Sequence, residues 1–146
     1  MNCTVDASVF VAVAKPGDLH RKESRRFLQE ARASQTNLPC PTLVLPECAA
    51  ALARQTRSTG PAERLVRAIQ RLPRVEFVDL DLPLGQRAAE IAASLRLRGA
   101  DSVYDAVAEA RTATLITWDA EMLQRAPAVA STMTPTEWMA RQTPNP

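Results

Sequence analysis

Short apolar runs alternate along this chain with stretches in which apolar residues recur at helical spacing. Met1 to Val5 is a β-leaning run that ends at Asp6, and Ala7 to Ala14 continues as a helix until Pro16 and Gly17 stop it. Asp6 is thereby predicted at a strand-to-helix junction. Leu19 to Ala33 has the pattern of an amphipathic helix, with Phe27, Leu28 and Ala31 on one side, and Gln35 to Asn37 follow as a loop. Thr42 is the predicted cap of a helix whose stripe is Leu43, Val44, Glu47, Ala50, Ala51 and Arg54, spaced three and four apart. Glu47 is the one acid on that stripe.

A break at Ser58 to Pro61 precedes a helix over Ala62 to Leu72, which Pro73 closes before a strand-like Val75 to Leu80. Pro83 opens a further helix to about Arg98, with Gly99 at the expected stop. Asp101 to Ala110 is predicted helical and Thr114 to Thr117 a short buried strand, with Asp119 just past its end. A last helix is expected from Pro135 through Met139, with Gln142 to Pro146 frayed. The alternation predicts one α/β domain over residues 1–146, with a mainly parallel sheet whose carboxyl strand ends carry the chemistry.

Composition agrees. A chain of 146 residues has the size of one domain, and 46% hydrophobic with 23% charged residues is the profile of a soluble globular protein. No stretch approaches the roughly eighteen apolar residues of a membrane span, and no basic leader precedes the first run, so the expected location is the cytoplasm. Cys3, Cys40 and Cys48 form no CxxC pair and lie among apolar neighbours, as reduced thiols packed as small hydrophobes do. The net charge of +2 neither requires nor excludes a nucleic-acid partner.

Several chemistries drop out. His20 is the only histidine, which removes zinc sites and Ser-His-Asp or Cys-His hydrolysis, and it is expected to be exposed. The four glycines form neither GxGxxG nor GxxxxGK. No lysine follows Lys22, against a phosphoacceptor receiver domain, and Asp6, Ala7 and Ser8 do not make the Asp-x-Asp of aspartate-nucleophile phosphatases.

The informative acids are those in apolar surroundings. Asp6 stands between Val5 and the run Val9 to Val13, Glu47 lies within Leu43 to Leu52, and Asp119 follows Leu115 to Trp118. An acid buried without a partner is costly, so acids in such places need a compensating charge or proton. Drawn together at the sheet edge, they would bind one or two divalent cations, and a set of oxygen ligands alone favours magnesium or manganese. A metal so held suits phosphodiester hydrolysis. Plainer readings stand beside this one: Asp6 and Asp101 as helix caps, Asp119 as a helix start, Glu47 surface-facing or paired with Arg54, and Asp105 simply solvated.

The segments VDASVFVAV (5–13), LPCPTLVLPECAAALAR (38–54), RGADSVYDAVAEA (98–110) and LITWDAEML (115–123) together resemble the PIN-domain family, in particular the VapC-type toxins of bacterial and archaeal toxin–antitoxin pairs. The resemblance implies a three-layer α/β fold with the sheet flanked by helices. It implies that Asp6, Glu47, Asp101 and Asp119 bind Mg2+ or Mn2+ for RNA cleavage, with Ser8 and Thr117 as hydrogen-bonding support. It further implies a homodimer and a cognate antitoxin that blocks the acidic groove. Asp105 departs from the family, whose members carry a small or apolar residue there, and is a further candidate ligand. Arg54, Arg57 and Arg98 are the candidate RNA-binding cations nearest in sequence to the acids. The competing functional reading is a PIN-like module that grips RNA or a protein without cutting; a housekeeping RNA-processing nuclease is the alternative to a toxin.

Overall fold

The computed structural model describes residues 1–143. Its strands are β1 (Cys3–Val5), β2 (Leu38–Pro41), β3 (Val75–Val78), β4 (Thr114–Ile116) and β5 (Thr132–Met133). Its helices are α1 (Ala7–Ala14), α2 (Arg21–Ala33), α3 (Val44–Thr56), α4 (Thr59–Gln70), α5 (Leu82–Leu95), α6 (Gly99–Ala110), α7 (Ala120–Arg125) and α8 (Pro135–Gln142). Every strand pairing is parallel: β1 with β4, β4 with β5, and β2 with β3. A parallel bridge between Asn2 and Asn37 joins the two sets, so the strands run in the order 3-2-1-4-5.

That order reverses direction between β1 and β4. In such a sheet the connections leave to opposite sides at this point and open a crevice beyond the carboxyl ends of the two strands. Asp6 follows β1 and Asp119 lies three residues past β4, so both acids stand at the crevice.

Buried residues explain why each element forms. β1 and β2 are buried along their whole length, as strands covered on both faces are. α6 packs against β1, β2 and β4, with α5 alongside it, and buries every residue from Asp101 to Ala108. α2 is held to α8 through Phe27 and Trp138, which meet edge to face at 5.1 Å. Such a pair adds about 1 kcal/mol to the area it buries.

Several expected boundaries move. β2 lies outside the elements the sequence pattern predicts, since Pro39 and Pro41 disfavour a strand; pairing on one side with β3, and with β1 only at the bridge, spares the missing N–H groups. α3 begins at Val44 and Thr42 gives it no side-chain cap. Its buried stripe is Val44, Cys48 and Leu52, whereas Ala50 and Arg54 are exposed. The break at Ser58 to Pro61 is the first turn of α4, where proline has no N–H to lose.

At the other end of the sheet, β3 stops at Val78 and β4 at Ile116. α5 ends on Arg96 in the left-handed region (φ 55°), and Gly99 starts α6 instead of closing α5. Asp101 is therefore in the first turn of α6 and not its cap. The helix expected before Arg21 starts there, after Asp18 and His20, and α8 runs on from Met139 to Gln142. Of the expected frayed tail, residues 144–146 lie outside the described residues.

Candidate functional site

Asp6 is fixed by the backbone around it. Its extended conformation ends β1, its carboxylate accepts from the Ser8 N–H at 3.3 Å as the cap of α1, and the Thr117 hydroxyl donates to its Oδ2 at 2.9 Å. Asp119 repeats the device at the end of β4, accepting from the Met122 N–H at 2.9 Å as the cap of α7. Thr117 Oγ1 also accepts from the Asp119 N–H at 3.0 Å, and Ser8 Oγ from the Trp118 N–H at 3.1 Å. The two hydroxyls lie 3.4 Å apart and tie the ends of β1 and β4 together. Capping and membership of the acidic site are thus one geometry for Asp6 and Asp119, not alternatives.

Glu47 and Asp101 come from helices on either side. Glu47, in the first turn of α3, is partly buried, and its Oε1 has no hydrogen-bond partner. The Tyr104 hydroxyl of α6 neighbours it and favours its charged form, yet falls outside hydrogen-bond geometry, so Tyr104 Oη is unpartnered as well. Glu47 makes no pair with Arg54. Asp101 is 8% exposed and accepts from Arg98 Nε at 2.9 Å, while Arg98 Nη2 reaches Asp119 Oδ2 at 2.8 Å.

These acids sense one another. Burial holds the Asp6 carboxyl above its ordinary pKa, and the Asp101 charge adds to the rise against the hydrogen bonds from Ser8 and Thr117. Burial also raises Glu47, with Asp6 and Asp101 adding to it. Asp101 is raised by burial and by the charges of Asp119 and Glu121, and lowered by Arg98. All four expected acids therefore gather at the crevice.

Their side chains do not close around a single point: among the described residues no three acids stand in ligand geometry about one centre. Arg98 bridges two of them instead. A divalent ion fits the donor set, which is all carboxylate oxygen and includes the unpartnered Glu47 Oε1, provided Arg98 withdraws.

The other candidates separate. Asp105 is fully buried one turn beyond Asp101, both its oxygens are unpartnered, and its charged neighbours are Glu109 and Arg87, not the four acids. Arg54 is exposed about 10 Å further along α3 than Glu47, and Arg57 lies past the end of that helix. Arg98 alone of the three cations touches the acids. The cysteines are free and buried, and burial pushes the Cys3 and Cys40 thiols up to about 12, which removes thiolate chemistry.

The PIN domain family profile matches residues 3–128, which takes in the whole site. The chain belongs to the PIN domain family. Among solved structures, this PIN domain shares its fold with VapBC2 from Rickettsia felis bound to a DNA fragment from its promoter (14% identity, 92% of this chain and 98% of that one, TM-score 0.71). It is also similar to VapC20 of Mycobacterium tuberculosis, described as a sarcin-ricin loop cleaving toxin (21% identity, 81% and 90% covered, TM-score 0.66). A third is FitAcB from Neisseria gonorrhoeae (15% identity, 93% and 99% covered, TM-score 0.69). No curated protein matches the sequence. Among the described residues no helix is long and apolar enough to cross a membrane.

Two residues at the site were not singled out from the sequence: Tyr104, beside Glu47, and Trp118, between Thr117 and Asp119. Tyr104 falls one helical turn after Asp101, a spacing that carries its signal.

Proposed function

We propose that this PIN domain is a metal-dependent endoribonuclease and the toxin of a type II toxin–antitoxin pair. The observation that carries the reading is the meeting of Asp6, Glu47, Asp101 and Asp119, from four separate elements, at the switch point of the sheet. Burial, and then the neighbouring acid charges, oppose the ionisation of Asp6, Glu47 and Asp101, an arrangement that a bound cation relieves. VapC20, a protein of the same fold, is described as cleaving the sarcin-ricin loop, which supports RNA as the substrate class.

Asp6, Glu47, Asp101 and Asp119 would hold Mg2+ or Mn2+. When bound, the ion lowers the pKa of water and offsets charge growing on the phosphate. Ser8 and Thr117 keep Asp6 and Asp119 in register through hydrogen bonds just past the ends of β1 and β4. Arg98, paired here with Asp101 and Asp119, would be free to take a phosphate oxygen of the RNA where those acids hold the cation. A cognate antitoxin completes the reading, supported by a toxin–antitoxin complex from Klebsiella pneumoniae that shares the fold; the homodimer is carried over from the family resemblance alone.

Purified protein incubated with structured RNA and Mg2+ or Mn2+ is expected to cleave it, EDTA to abolish cleavage, and Asp6→Asn to lower it by about a hundredfold or more. Binding without metal-dependent cleavage would instead assign a non-catalytic RNA-gripping module. Growth arrest on expression, relieved by co-expression of a small protein encoded beside the gene, would separate a toxin from a housekeeping nuclease.

A further inference from the structure

The loop before α2 and the residue before Asp119 build an aromatic stack that none of the acid chemistry uses. His20 and Trp118 lie face to face, with ring centroids 3.9 Å apart and planes 8° from parallel. Trp118 is pinned: its Nε1 donates to the buried Ser24 Oγ at 2.8 Å and its backbone N–H to Ser8 Oγ at 3.1 Å. The His20 backbone is set by its N–H, which donates to Asp18 Oδ1 at 2.8 Å. His20 itself is exposed, so one ring face rests on Trp118 and the other is open.

A cavity of about 330 Å³ adjoins the stack and is lined by Ser8, Asp18, His20, Glu47, Gln55 and Trp118. It therefore leads from the open ring to one of the four acids. Its volume is at the lower end of small-ligand pockets, about 300–1,000 Å³. On the far side of Asp18 a second concavity, of about 620 Å³, runs along α2 past Arg21, Lys22, Arg25 and Arg26. Arg26 is paired with Glu30 at 2.9 Å, but Arg21, Lys22 and Arg25 have no ion pair among the described residues.

A cationic concavity that shares Asp18 with a cavity lined by a rigid aromatic stack is the combination that binds single-stranded nucleic acid, the cations following the phosphates and the ring taking a base. Resting on the ribonuclease reading, we infer that the His20–Trp118 stack is the platform for one unpaired RNA base beside the cleaved bond, with Arg21, Lys22 and Arg25 guiding the strand to it. The site then selects loops and single-stranded segments, because a base within a duplex has both faces covered.

Tryptophan fluorescence of the full chain, titrated with a single-stranded oligoadenylate in EDTA and again with calcium, tests this without turnover. Quenching is expected in the wild type and absent in Trp118→Phe, which retains Trp138. His20→Ala is expected to weaken binding about tenfold, and His20→Phe to restore it. Lys22→Glu with Arg25→Glu is expected to lower both the affinity and its salt dependence. A duplex of matching length should bind more weakly. Wild-type affinity in His20→Ala, quenching that survives in Trp118→Phe, or no quenching under either condition would overturn the inference. Failure of the nuclease reading looks different: quenching and its loss in His20→Ala would persist in a protein that cleaves no RNA with any metal.

Discussion

Asp6 serves the fold and the site with the same oxygens. Asparagine caps a helix about as well as aspartate, so Asp6→Asn should keep α1 intact while removing a charge that burial and Asp101 both oppose. Its melting temperature is expected at or above that of the wild type, whereas Asp6→Ala, which loses the cap, should cost about 1 kcal/mol relative to Asp6→Asn in urea unfolding. Asp105 makes the opposite case. Burial, with the Glu109 charge adding, raises its carboxyl from the usual carboxylate range to about 7, and Arg87 opposes the rise. The unfolded chain ionises near 3.9, so the favourable contribution is whole below about pH 4, falls as pH rises through about 7, and then levels off. Asp105→Val should remove this slope and stabilise the protein by about 2–4 kcal/mol at pH 8, read as urea midpoints at pH 5 and 8. Equal pH slopes in the two proteins would show that Asp105 is not held neutral.

At the scale of elements, the turn between α5 and α6 carries the site. Arg96 occupies the left-handed region at φ 55°, and two residues later Arg98 opens α6 and reaches the acids. Glycine adopts that conformation without steric cost, so Arg96→Gly is expected to be neutral or to stabilise by up to about 1 kcal/mol in thermal unfolding. Moving the stop to Gly99, where the sequence pattern puts it, would lengthen α5 and draw Arg98 away from Asp101 and Asp119. The parallel ends of β1 and β4 matter as much, since the Ser8 to Thr117 link exists only because Val5 pairs with Ile116.

For the whole molecule, metal binding by the gathered acids is expected to make stability depend on cations. A bound divalent ion should raise the melting temperature of the wild type, and chelation should reverse the gain, because ligand binding to the folded state stabilises it by mass action. Asp6→Asn should lose most of that shift. Arg98→Ala leaves Asp101 and Asp119 without their counter-charge, so its metal affinity should rise while its affinity for RNA falls. Both can be read by calorimetry and by filter binding. If Arg98→Ala weakens metal binding, the arginine does not compete with the ion.

Much of this was open to inspection in the chain itself. Alternating runs determined the α/β class and the parallel sheet, since periods of two and near four follow from local geometry. The misplacement of Asp6, Glu47 and Asp119 among apolar residues marked them, because burying a charge is expensive wherever the chain goes. The family pattern added Asp101, which composition alone left as a cap. Packing decided the rest. Whether a proline-bearing segment pairs as β2, which of Gly99 and Arg96 ends α5, and that Asp105 faces Arg87 and Glu109 depend on neighbours remote in sequence. The same holds for His20, an isolated polar residue to any local rule, which meets Trp118 only because β4 returns beside β1 and α2 packs back on α1. Local propensity acts over a few residues, while strand order and side-chain meetings are set by the single way the buried surfaces fit together.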